Sequence, residues 1–257
     1  DPYESREEYE EALENNNVFI TPASTMEYNA FELIFGFNMK FFLPTTVGRL
    51  GLRIDPRSKF NYLTYDEDIF RSYNATTRNN NHNWDTILSL GHTLYWDNRD
   101  VIYNPSKGHL LSQYLGFFMV DRKYIKLRTK GEFYHTLFSI PGTDNYSIEL
   151  IFAAQSSISF ILPQFTGNLD ATITDLLYID GMTTARGWDY NSDFKSLWDT
   201  SFELRYPIAQ NILSFVMFFD MVGAWSEISN MGNTGIENYY FSWGLGLKLI
   251  MPGFPLG

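Results

Sequence analysis

The feature that most restricts this chain is a period-two alternation of large apolar side chains, repeated over most of its length. In FELIFGFNMKF, Phe31, Leu33, Phe35, Phe37, Met39 and Phe41 fall on one face and Glu32, Gly36, Asn38 and Lys40 on the other, with Ile34 the exception. Successive strand side chains point to opposite sides, so this is a strand with one greasy and one polar face. WDTSFELRYPI repeats the pattern, with Trp198, Phe202, Leu204, Tyr206 and Ile208 set against Asp199, Ser201, Glu203 and Arg205, and YYFSWGLGLKLIM does so again from Tyr239 to Met251. Two more strands carry charged or polar groups on the second face. Lys126, Arg128, Lys130 and Glu132 oppose Ile125, Leu127, Phe133 and Leu137, while Glu149, Gln155, Ser157 and Ser159 oppose Ile148, Leu150, Phe152, Ile158 and Phe160. Weaker alternation covers residues 47–60, 84–96, 109–120 and 211–225. The total is about nine strands, most long enough to cross a bilayer when tilted.

The connections add a second constraint. They run long (1–26), short (43–47), long (61–83), middling (97–108), very short (120–123), short (139–145), long (163–196), short (208–211) and long (226–238). Apart from 120–123, every second connection is long, which is how an up-and-down membrane barrel separates extended external loops from short periplasmic turns. A soluble β-sandwich would also alternate, having one core face. The row of charged side chains from Lys126 to Glu132 instead suits a wet lumen, with the apolar face turned to lipid. The aromatic share of 18% fits the aromatic girdles of such a barrel, and no run approaches the length of a membrane-spanning helix.

Charge and cysteine content narrow the function classes. The formal net charge of −11 argues against nucleic-acid binding, which needs a basic stripe. Residues 1–14 hold seven acids and one base, as a solvated loop or short surface helix would. With no cysteine there is neither a disulfide framework nor a thiolate metal site. The chain opens DPYESREEYEEALE, without a signal peptide, and ends MPGFPLG in turn-like sequence. Bacterial barrels close with an even number of strands, so nine strands predict a chain truncated at both ends.

Four stretches in order resemble the C-terminal barrel of the BamA family of outer-membrane protein insertases. GMTTARGWDY is similar to that family's long sixth external loop, with Ala185, Arg186, Gly187 and Trp188 at the place of its Val-Arg-Gly-Phe/Tyr hallmark. YWDNRDVIYNPSKGHLL resembles its periplasmic Asp-x-Arg segment leading to Pro-x-x-Gly, here Asp97, Arg99, Asp100, Pro105 and Gly108. SFELRYPI with SFVMFFDMVGAW resembles the two strands after the loop, and GLGLKLIMPGF the next strand and turn. The similarity runs from about residue 84 to the end, with strand pattern alone supporting it earlier. It implies an all-β, antiparallel, up-and-down transmembrane barrel, with residues 27–251 forming about the sixth to fourteenth of sixteen strands. The closing seam and the periplasmic domains that receive substrates would then lie outside the chain.

The resemblance also implies roles. In relatives the loop arginine turns into the lumen and pairs with inner-wall acids, and the matching acids are Glu203 and Asp220. Periodicity supports Glu203 independently, since it shares the polar face of Asp199, Ser201 and Arg205. Asp220 lies beside Val216 and Phe218, but the opposite face, Leu213 to Met221, is plainly the lipid side, so it too points inward. Arg186 would then be a latch, against the alternative of an exposed turn arginine. The implied function is insertion and folding of β-barrel proteins in the bacterial outer membrane. Its partners would be unfolded outer-membrane proteins, accessory lipoproteins met through the periplasmic domains, and lipid, with the long loops at the cell surface. A two-partner secretion transporter shares the loop motif, and a passive porin is a third reading. Enzyme chemistry is not expected: His82, His92, His109 and His135 are scattered singly, and there is no phosphate loop or Gly-x-Ser-x-Gly elbow. No catalytic residue, metal site or cofactor is predicted. Asp66, Glu67 and Asp68 could bind calcium but read better as a solvated loop.

Overall fold

The alternating segments pair in chain order into one twisted antiparallel sheet. The computed structural model describes residues 28–65, 79–141, 147–164, 169, 171–172, 174–209, 212–232 and 235–249. The acidic run at 1–14, the acids at 66–68 and the MPGFPLG end therefore lie outside the described residues. The strands are β1 (Tyr28–Gly36), β2 (Met39–Thr45), β3 (Gly48–Tyr65), β4 (Trp84–Asp97), β5 (Gly108–Val120), β6 (Tyr124–Pro141), β7 (Ser147–Pro163), β8 (Leu177–Ile179), β9 (Asn191–Phe194), β10 (Ser196–Ala209), β11 (Leu213–Trp225) and β12 (Tyr239–Leu249). The sheet runs β1-β3-β4-β5-β6-β7-β10-β11-β12, with β2 also on β3, while β8 and β9 form a separate small hairpin. Among the described residues β1 and β12 are unpaired edges.

β1 and β2 are one strand interrupted by its partner. Gly36 faces Arg57 and Met39 faces Ile54, so the register is the same on both sides of the break. Opposite the break lies Pro56, whose carbonyl accepts from the Phe37 amide at 3.4 Å but which has no N–H to return the bond. The pairing lapses for two residues while the alternation continues. Nine ranks of strand result, in the order the sequence predicts.

Register divides every strand into two faces. Phe31, Leu33, Phe35, Leu90, Leu94, Leu111, Phe133, Leu137, Phe202, Phe215, Met217 and Phe219 are all exposed on the outer face, and Trp243 on β12 is 81% exposed. A continuous apolar exterior spread over the strands is far beyond what a water-soluble monomer leaves uncovered, so it needs lipid. Among the described residues no helix is long and apolar enough to cross a membrane, which leaves the crossing to strands. The strand ends segregate as the sequence predicts: the β2–β3, β4–β5, β6–β7 and β10–β11 connections leave from one rim, and the β3–β4, β5–β6, β7–β10 and β11–β12 connections from the other.

The inner face is less uniform than alternation implies. Toward the short-turn rim it carries charge, as predicted for Lys130, Glu132, Glu203 and Arg205. Toward the long-loop rim it turns apolar: Tyr124, Ile161, Leu197, Val222 and Ala224 are buried together with Ala171, Leu176, Leu177, Ile179 and Ala185 of the 164–195 loop. That loop folds down into the concavity and packs against the wall. Burial of Leu176, Leu177 and Ile179 supplies about 5–9 kcal/mol of gross apolar stabilisation before ordering costs.

Candidate functional site

The loop tip is built around an acid and three residues in left-handed conformation, Gly181 (φ +68°), Ala185 and Gly187. The Asp180 carboxylate accepts from the amides of Met182, Thr183 and Thr184 at 2.9, 2.8 and 2.7 Å, and from the Thr183 hydroxyl. Burial opposes ionisation there, but the Thr183 hydroxyl and the three amides outweigh it and pull the carboxyl down to about 2. The Gly187 amide returns to the Gly181 carbonyl at 2.9 Å, and the Trp188 amide to the Ala185 carbonyl at 3.1 Å. Ala185 (φ +53°) and Gly187 (φ +85°) flank Arg186. Left-handed backbone on both sides turns the arginine off the loop and down into the barrel, and at Ala185 it costs about 1–2 kcal/mol.

Arg186 lands on the two predicted acids. Its Nε and Nη2 donate to the Asp220 carboxylate at 2.7 and 2.6 Å, and its Nη1 donates to Glu203 Oε1 at 2.9 Å. Nη2 also donates to Ser201 Oγ at 2.9 Å, and that hydroxyl donates to Asp220 Oδ1 at 2.7 Å. A planar fork is the one cationic head group that fits this set of acceptors. Phe218, an apolar intruder on the inner face of β11, is explained by the same site, since the guanidinium carbon sits 3.7 Å from its ring centroid. Trp188 completes the motif. Its indole N–H donates to the Phe241 carbonyl at 3.1 Å, and its ring meets Tyr240 edge-on at 5.1 Å. A Phe or Tyr at this position could not make that indole hydrogen bond.

The second motif sits at the opposite rim, between β4 and β5. Asp97 accepts from Arg99 Nε at 2.9 Å and Nη2 at 3.1 Å, and Arg99 Nη1 donates to Glu132 on β6 at 2.9 Å. Asp100 organises the turn by accepting from the amides of Val101 and Ser106 at 2.9 and 3.0 Å and from the Ser106 hydroxyl at 2.6 Å. Pro105 is buried in the turn, and Gly108 opens β5. Polar contacts join the two motifs along the inner wall. Glu203 Oε2 pairs with Arg205 Nη2 at 2.8 Å, Arg205 lies 5.3 Å from the Tyr134 ring centroid, and the Tyr134 hydroxyl donates to Glu132 at 2.9 Å.

One arginine escaped the sequence reading. Arg122 lies in the three-residue turn at 121–123 and is buried at the long-loop rim. Its Nε donates to Asp85 at the start of β4, and its Nη1 donates to both oxygens of Asp175 in the loop, at 3.0 and 2.8 Å. The Tyr124 hydroxyl donates to Asp175 at 3.1 Å, and the Thr172 amide and hydroxyl each do so at 2.9 Å. The one local signal was the shortness of the 120–123 connection among long neighbours. Of the histidines, His92 faces outward beside Phe117, with centroids 6.0 Å apart, and His82 lies in the β3–β4 connection against Thr64. Among the described residues no group of histidine and acidic side chains could hold a metal ion.

Comparisons with known proteins bear on the family and the fold. Residues 14–257 match the model of the Omp85 superfamily domain. A Treponema pallidum (strain Nichols) protein named "Putative outer membrane protein assembly factor" is 26% identical over 289 residues, covering 99% of this chain and 34% of its own length. The chain thus spans about a third of that relative. Among solved structures, BamA from Haemophilus ducreyi lacking POTRA domains 1-3 superposes with a TM-score of 0.58 at 14% identity, over 90% of this chain and 50% of that one. The fold is therefore that of a BamA barrel, as a partial antiparallel transmembrane barrel. With its family model matched over nearly its whole length, the chain belongs to the Omp85 superfamily.

Proposed function

We propose that this barrel is the membrane domain of a protein that inserts and folds β-barrel proteins in the bacterial outer membrane. The observation that carries the reading is the seating of Arg186 on Asp220 and Glu203, inside a wall whose other face is predominantly apolar. The loop then acts as a latch that holds the wall in one shape while a client assembles beside it. The relative's name as an assembly factor supports the same reading. No covalent step is involved, and neither catalytic residues nor a cofactor are assigned. Acceleration comes from locally altered lipid and from a barrel that can open, so the latch contributes by preserving geometry. Its substrates are unfolded outer-membrane proteins, its accessory lipoproteins bind the periplasmic domains, and the long-loop rim faces the cell exterior.

The test places the full-length protein in liposomes with an unfolded, unrelated barrel protein and follows folding, comparing the wild type with Arg186→Ala. Faster client folding that the substitution slows by tenfold or more, about 1.4 kcal/mol, supports insertion. No acceleration, together with liposomes that conduct ions, would replace it with a secretion pore or porin.

A further inference from the structure

We infer that Arg122 is a second anchor of the 164–195 loop, and that this loop is a strap tied to two separate walls of the barrel rather than a latch held at one point. The functional consequence rests on the insertion reading above; the strap itself does not.

The burial of Arg122 comes first. Its side chain is 3% exposed, against 24% for Arg186, and its partners Asp85 and Asp175 are almost as dry. A cation so removed from water persists only with full compensation, and the site supplies it. Asp175 receives Tyr124 and Thr172 as well as the guanidinium, and Asp85 receives the Asn80 side-chain amide at 3.1 Å. Asp175 belongs to the loop, Asp85 to β4 and Arg122 to the β5–β6 turn. The contact therefore joins the loop to the barrel from a different direction than Arg186 does.

The position of the anchors makes the strap. Arg122 holds the loop to β4 and β5–β6, whereas Arg186 holds it to β10 and β11. Those walls are separated around the sheet by the order β4-β5-β6-β7-β10-β11, an arc of about 24 Å at the usual spacing of neighbouring strands. The chain from Asp175 to Arg186 crosses that arc on the inside. Leu176, Leu177, Ile179 and Ala185 press between the anchors onto Tyr124, Ile161, Leu197 and Val222. An inner brace of this kind limits how far the β4 wall and the β11 wall can move apart.

The anomalous short turn has its reason here. On a rim of long connections, 121–123 is three residues, and the loop enters the barrel beside it. The Gln164 side-chain amide donates to the Phe118 carbonyl at 2.7 Å, and Phe118 stacks on Tyr124 with centroids 4.3 Å apart. A longer connection at that place would occupy the entry. Arg122 is thus a positioning residue: it acts on the barrel wall through the loop and on Arg186 through the shared strap.

The experiment uses the full-length protein in liposomes with nitroxide pairs, since this chain brings no cysteine of its own. One pair joins Tyr178→Cys to Val47→Cys, the other Met182→Cys to Val47→Cys, and pulsed electron resonance reads the two distance distributions. They are measured in the wild-type background, in Arg122→Met, and in Asp175→Asn, which leaves Arg122 paired to Asp85 and so spares the fold. Both variants are expected to broaden both distributions and to slow client folding about tenfold, within the usual range of coupling between linked sites. Arg122→Lys should fall between. Unchanged distributions would show that Arg122 anchors nothing. Broadening at 178 with a narrow distribution at 182 would leave two independent contacts and no strap. Broadening at both with client folding untouched, while Arg186→Ala slows it, would remove Arg122 from the positioning machinery. If the wild type itself does not accelerate folding, the insertion reading fails and the two distributions alone decide the strap.

Discussion

Replacing Asp220 by Asn should unseat the loop much more than replacing Glu203 by Gln, although both remove one negative charge. Asp220 takes two of the guanidinium nitrogens at 2.7 and 2.6 Å and the Ser201 hydroxyl at 2.7 Å. With its charge gone, Arg186 and Arg205 share the single carboxylate of Glu203. Stranding a buried cation costs about 3–5 kcal/mol, reduced here to about 2–3 because Arg186 is 24% exposed and keeps one partner. The seated population then falls by about 30- to 150-fold relative to the unseated one. Glu203 contributes one bond to Arg186, so Glu203→Gln should cost about 1 kcal/mol, or roughly fivefold. Trypsin reads this directly, because the Arg186–Gly187 bond can be cut only when the arginine has left its acids. Where reseating is faster than cutting, the cleavage rate follows the unseated population. Equal rates for the two variants, or wild-type resistance in Asp220→Asn, would refute the assignment of Asp220 as the principal partner.

Three further outcomes follow from the loop tip. A Cβ at Gly181 would lie 2.0 Å from the Trp188 carbonyl oxygen, whereas one at Gly187 meets nothing within 4 Å. Gly181→Ala should therefore open the loop to trypsin strongly, and Gly187→Ala only by the roughly 1 kcal/mol of left-handed strain. Trp188→Phe removes the bond to the Phe241 carbonyl but keeps the contact with Tyr240, so its cost should be about 1 kcal/mol and its cleavage rise well below that of Asp220→Asn. The Asp180 carboxyl, at about 2 when folded against 3.8 ordinarily, stabilises the tip fully above pH 4 and loses that contribution as pH falls through about 2. The line shape of a nitroxide at Met182 should stay constant from pH 8 to 4 and sharpen below. Asp180→Asn should be mobile throughout, and a wild type that sharpens near neutrality would contradict the assignment.

The outer face was readable because one rule governs it: every second residue from Phe31 to Phe41, or from Tyr239 to Leu249, meets lipid. The inward placement of Glu203 was readable for the same reason, while its pairing with Arg186 was implied by the family resemblance alone. What alternation could not express was the long-loop end of the lumen. There Ile161 and Val222 point inward while their neighbours Phe160 and Met221 point outward, so apolar residues run on without a break. Such runs, as in FIL at 160–162 and MVGAW at 221–225, mark strands covered on both sides, and the covering layer is the loop itself. Arg122 stayed hidden because its partners are 37 and 53 residues away. The break between β1 and β2 was not read from 31–41, which alternates throughout; its cause, the missing N–H of Pro56, lies on the partner strand.

The central claim, that the contact between Arg186 and Asp220 sustains insertion, is tested most directly by a double-mutant cycle on client folding. Arg186→Ala, Asp220→Ala and the double variant are each assayed in liposomes against the wild type. If the contact is what matters, the double variant folds its client no more slowly than the worse single variant, and the coupling equals the smaller single effect, about 1.4 kcal/mol for a tenfold slowing. Rates that fall additively would mean that the two residues act independently, and the latch would be contradicted.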